Sequence, residues 1–162
     1  MAGQDLILDD IEHGILRRGY VKWGLGYLRN PFGGGFAREQ ELDERDLRVH
    51  FALNCGAESS PLIAVYTREG ADEELDWVTE GYLEAMISYD AAANRATVPR
   101  VMLWFRGDFG GKSGIVEMLR RYGWLPESAW PRLSYREWDW SLARGRFVDG
   151  EQRSASDPGP RE

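Results

Sequence analysis

"RVHFALNCGAESSP", Arg48 to Pro61, is the stretch whose reading decides the fold. Val49, Phe51 and Leu53 alternate with His50, Ala52 and Asn54, the period-2 pattern of a pleated strand with one strongly apolar face. The second face is nearly as dry, which predicts a strand inside a sheet over Val49 to Asn54. Cys55-Gly56-Ala57 then falls just past the carboxyl end of that strand, where many folds place their sites. Cys55 is the only cysteine of the 162 residues, so no internal disulfide can form, which fits a reducing compartment. It is either a nucleophile or a small packing residue.

Outward from this stretch, Pro61 to Tyr66 opens on a proline that cannot donate to a central ladder and reads as a loop or edge segment. Asp72 to Met86 is the clearest helix: Leu75, Val78, Tyr82 and Met86 recur at spacings of three and four, with acids in the first turn. Ala96 to Val98 reads as a short strand, and Pro99 fits the start of a helix over Arg100 to Phe105. Ser113 is placed to cap a last helix to Tyr122, which Gly123 would stop. Leu133 to Leu142, with three large aromatics, reads as a closing strand. Toward the N-terminus, Gln4 to Leu8 suits a short strand, and Asp10 to Arg18 a helix with Asp9 and Glu12 as an acid-led capping box. Gly19 to Gln40 is rich in Gly and aromatics and predicts a long loop with one short helix. The polar, turn-rich residues from Asp149 onward read as a disordered tail over 148–162, leaving one domain over 1–147.

Charge narrows the class. The net charge is -7, and of the 20 basic residues only Lys22 and Lys112 are lysine. An acidic, Arg-rich surface fits a halophile-like origin or a GC-rich genome, and it disfavours nucleic acid because phosphate contacts need a basic face. No apolar run reaches the roughly 18 residues of a membrane span, and the N-terminus lacks the features of a secretory signal. A soluble cytoplasmic protein is expected, with neither membrane nor nucleic acid among its partners.

Three motif-like stretches bear on chemistry. "GDFGGKSG", Gly107 to Gly114, has one residue too few between its glycines for a phosphate cradle and reads as a Gly-rich turn. His13, His50 and Cys55 match no metal-ligand spacing, so no metal and no cofactor are expected. A reactive Cys55 would need an imidazole close by to stabilise its thiolate. His50 on the same strand, or His13 brought in by tertiary folding, are the candidates.

"LDDIEHGILR" (Leu8 to Arg17), "RVHFALNCGAESSP", "VPRVMLWFRGDFG" (Val98 to Gly110) and "YREWDWSL" (Tyr135 to Leu142) stand in an order and spacing that resembles the domain of unknown function 547 family. The resemblance implies a thiol-hydrolase-like fold akin to papain or transglutaminase and no settled activity. Two departures are visible. The family usually reads Ser-Cys-Pro where this chain has Ser59-Ser60-Pro61, so chemistry needing two thiols is in doubt. Members also usually carry an upstream aromatic helix, and this chain is expected to be a truncated form lacking it, with a homodimer through the surface so opened as one consequence.

The expected fold is α+β: a small, mostly antiparallel central sheet containing Val49 to Asn54 and Tyr135 to Ser141, packed by helices on one side. Two functions compete. In one, the domain is a thiol-dependent hydrolase or transferase, with Cys55 the nucleophile, His50 or His13 its base, Asn54 and the turn amides the oxyanion donors, and Asp139 the orienter of the imidazole. In the other, favoured for this chain, it is a non-catalytic binding or scaffolding module. There His50, Asn54 and Cys55 form a buried polar cluster, and the aromatic loop from Trp23 to Phe36 meets a protein partner.

Overall fold

The computed structural model describes residues 5–31 and 35–144; the tail expected over 148–162 lies outside them. The elements in chain order are a π-helix (Asp10–Leu16), α1 (Phe36–Glu39), α2 (Val49–Ala52), α3 (Ala71–Met86), β1 (Ser88–Asp90), β2 (Arg95–Val98), α4 (Val101–Trp104), α5 (Gly111–Arg121) and β3 (Arg132–Tyr135). The class is α+β, as expected.

The sheet is small and mixed. β1 and β2 form an antiparallel hairpin, with Tyr89 opposite Ala96, and β3 returns parallel to β2, with Ala96 opposite Leu133 and Val98 opposite Tyr135. Parallel pairing needs a long crossover, and α4 and α5 supply it. On the central strand Ala96 and Val98 are fully buried, while Arg95 is exposed and Thr97 bonds Ser134 at 2.9 Å between hydroxyls. That alternation turns one face of β2 toward a core containing Phe51, Leu83, Met102, Phe109, Ile115 and Leu119.

Helix α3 follows its sequence pattern. Val78, Tyr82 and Leu83 are buried on one side, and Asp72 and Glu73 of the first turn are exposed. It stops at Met86, whose carbonyl accepts from Arg136 Nε at 2.6 Å. Helix α5 starts earlier than expected: Gly110 caps it, and Ser113 lies inside rather than at its N-terminus. At the other end Gly123, at φ 75°, donates to Arg120 O, and Trp124 N reaches Leu119 O, so this stop is the expected one. Residues 61–66 are irregular, as their proline implied.

Three expectations are corrected. Val49 to Asn54 is not a strand. Asp46 accepts the Arg48 amide through Oδ1 at 2.9 Å, and the amides of Val49, His50 and Phe51 each reach the carbonyl three residues back, so the segment coils from Asp46. Val49, His50 and Phe51 are all buried; with three consecutive residues dry, alternation carries no information about the period. The closing strand is also shorter than expected. β3 ends at Tyr135, and the chain then crosses to pair residues 139–143 with 56–59, through Glu58 N to Ser141 O and Ala143 N to Gly56 O, each 2.9 Å. Only Tyr135 of the Tyr135 to Ser141 segment is therefore in the sheet. Finally, Asp5 to Ile7 is irregular and Leu8 is already helical, so no strand forms there; Gln4 lies outside the described residues.

Between the π-helix and α1 runs the expected long loop, tied by a bridge between Tyr20 and Arg29 and by Val21 N to Leu28 O. Its tip lies against the turn before α5: Gly107 N donates to Leu25 O at 2.6 Å. A Cβ on Gly107 would stand 2.5 Å from the backbone of Gly26, so only glycine permits this approach.

Candidate functional site

The π-helix carries the first part of the site. No side chain caps it, so the expected Asp9–Glu12 box does not form; Asp10 Oδ2 instead accepts the amide of Ile7, and Asp9 pairs with Lys22. His13 and Arg17, four residues apart on it, meet with Nδ1 of His13 2.7 Å from Nη1 of Arg17. A guanidinium only donates, so Nδ1 accepts and the ring proton of His13 sits on Nε2. Burial, reinforced by the Arg17 charge, lowers the His13 pKa to about 4. The imidazole is neutral near pH 7, and its 3.7 Å approach to Glu12 is not an ion pair.

Arg17 is 1% exposed. Its Nε donates to Asp108 Oδ2 at 2.6 Å, and Arg45 Nη1 to Oδ1 at 3.0 Å. His50 completes the ring of donors, with Nε2 2.9 Å from Oδ2 of the same carboxylate. Burial alone would raise the Asp108 carboxyl, but the bonds from His50 and Arg17 overcome it and hold it below the usual carboxylate range. Burial likewise lowers His50, and Asp108 only partly opposes it. The pair is thus an ionised carboxylate and a neutral imidazole that donates through Nε2 and keeps Nδ1 unprotonated. The His50 ring also stacks on Phe105, with centroids 4.4 Å apart, and the Arg17 guanidinium lies 4.4 Å from the centre of that same ring.

Cys55 is exposed, not packed in the core. The proposed buried cluster of His50, Asn54 and Cys55 is therefore corrected: His50 alone of the three is buried. The Cys55 thiol lies 3.0 Å from the hydroxyl of Ser60, the residue that stands where the family pattern has its second cysteine. Asn54 is committed to the turn. Its Oδ1 accepts from Gly56 N at 2.6 Å and its Nδ2 donates to Pro61 O, holding Gly56 at φ 82°. Asp139 bonds the amide and hydroxyl of Ser141 through Oδ1. The carboxylate that reaches an imidazole is instead Asp108, inside the "GDFGGKSG" turn. The sequence signal for it was weak: an acid between apolar segments and a glycine pair, with its partner arginine 91 residues away.

Cys55 and His50 nevertheless line one cavity of about 370 Å³. The crossing of residues 139–143 onto the Cys55 turn brings Trp138 and Trp140 to this cavity, where they meet Trp104 with centroids 5.0 and 5.8 Å from it. Leu8, Ile11, Leu53, Val101 and Phe105 supply further apolar wall. The Nε1 of Trp138 is buried and without a hydrogen-bond partner among the described residues.

Among the described residues no group of three or more His, Cys, Asp and Glu side chains is arranged to hold a metal ion. No described helix is long and apolar enough to cross a membrane. A family model described as protein of unknown function, DUF547, matches residues 1–83, which include His13, Arg17, His50, Asn54 and Cys55. No curated protein and no solved structure matches the chain.

Proposed function

The chain belongs to the DUF547 family, and from that premise we propose that it is a binding or scaffolding module whose ligand enters the tryptophan-walled cavity. The observation that carries this reading is the cavity itself. Its volume of about 370 Å³ falls within the range of small-molecule sites, and its wall is apolar with a few polar groups at hand, as such sites require. Two of the groups a thiol mechanism would use are engaged in the turn beside it: the thiol bonds Ser60, and the Asn54 amide bonds the turn carbonyl of Pro61. Trp23, Tyr27 and Leu28, exposed on the loop, offer a separate surface for a protein partner.

Tryptophan fluorescence under titration with small organic molecules, neutral, cationic and anionic, tests the reading. A saturable change that is lost in Trp140→Ala is expected. Trp140 is 69% exposed, so its removal leaves the core intact. Absence of saturation across all three classes would sink the proposal.

One observation favours thiol catalysis as the second reading: the exposed Cys55 and the carboxylate-held His50 face the same cavity. A papain- or transglutaminase-like relay would need that pairing, with Nδ1 of His50 as the base that takes the thiol proton. Alkylation of Cys55 as a function of pH separates the two. A midpoint well below about 8.5 that returns to it in His50→Gln would favour catalysis. A midpoint near the free-thiol value would exclude an activated thiolate.

A further inference from the structure

The cavity has a charge preference as well as an apolar wall, and this inference rests on the binding reading above. Among its described lining residues Glu12 is the only carboxylate, and none is arginine or lysine. Glu12 is part-buried, and its near neighbour His13 is neutral and accepts through Nδ1. The two cations whose charges reach Glu12 are committed elsewhere, Arg17 to Asp108 and His13, and Lys22 to Asp9. Burial accordingly raises the Glu12 carboxyl above its usual value although the Arg17 charge opposes the shift. A carboxylate in such a place gains from any cation that can follow it out of water.

The tryptophans specify which cation. Trp104, Trp138 and Trp140 stand with centroids 5.0 to 5.9 Å apart and planes tilted 27° to 55° to one another, so their faces do not share one direction. Indole faces are electron-rich and attract a cation within about 6 Å while repelling an anion. An inorganic cation or a primary ammonium would surrender strong hydration for these walls, whereas an ammonium shielded by alkyl groups loses little. We infer that the cavity takes an alkylated ammonium cation, of the quaternary ammonium class, seated against the wall of packed indoles that it shares with Glu12.

The test is a titration of tryptophan fluorescence with choline and with its neutral isostere 3,3-dimethylbutan-1-ol, at matched ionic strength. Choline is expected to bind at least about tenfold more tightly. Glu12→Gln should remove most of that preference and leave the neutral compound unaffected, and Trp140→Ala should weaken both. Equal binding of the two compounds would overturn the cation assignment while the binding reading stands. A choline preference left undiminished by Glu12→Gln would also overturn it, because the carboxylate would then contribute nothing to the site assigned to it. Saturation by neither compound, with saturation by an anionic one, overturns this inference alone; saturation by nothing removes the binding reading with it.

Discussion

Asp108 accepts from Arg17, Arg45 and His50, so Asp108→Asn would leave a guanidinium that is 1% exposed facing a neutral amide. Breaking a buried pair from one side costs about 3–5 kcal/mol, and urea unfolding should show a loss of that size; a change under about 1 kcal/mol would mean that the arginine finds water instead. His13 makes a second prediction through pH. Its pKa is about 4 in the folded protein against 6.5 ordinarily, so between those values the unfolded chain binds more protons. Stability should therefore fall as pH drops from about 6.5 toward 4, with His50, also lowered, acting in the same direction. His13→Gln keeps an acceptor for Arg17 but cannot titrate in this range. Its stability should depend less steeply on pH than that of the parent protein, and identical slopes would refute the assignment.

At the scale of elements, α5 sets propensity against packing. Alanine is favoured over glycine inside a helix by about 1 kcal/mol, yet a Cβ on Gly114 would sit 1.9 Å from the carbonyl oxygen of Phe109. Gly114→Ala should accordingly destabilise, by about 1–3 kcal/mol, in thermal unfolding; a raised melting temperature would show that the turn gives way freely. The elements also show where sequence reasoning works. Helix α3 is legible because one side of it is wet, so its spacings of three and four stand out. Segment 49–52 is illegible by the same logic: Val49, His50 and Phe51 are all buried, and the decisive feature is Asp46, whose carboxylate accepts the Arg48 amide from within a charged run. The candidate site divides similarly. Cys55 and Asn54 announce themselves by type and position, but Asp108 does not, because a glycine-rich turn looks the same with or without a buried arginine to bind. Trp138 and Trp140 read as strand residues in the sequence, and only the crossing of residues 139–143 onto the Cys55 turn makes them a wall with Trp104.

For the whole molecule, the residues that match the family model end at 83, short of Asp108 and of most of the core around β2 and α5. A fragment of residues 1–83 would hold Arg17 and His50 without their carboxylate and Phe51 without Phe109, against which it packs at 5.7 Å between centroids. It should show neither a cooperative melting transition nor native circular dichroism, and a sharp transition would prove the first half self-sufficient. The span between Arg17 and Asp108 acquires a further meaning on the ribosome. The chain grows at roughly 5–20 residues per second, so about 5 to 20 s pass between synthesis of the two residues. Through that interval Arg17 and His50 have no carboxylate and Phe51 has no Phe109 to pack on, so surface that the finished protein buries stays open to chaperones and proteases until those residues emerge.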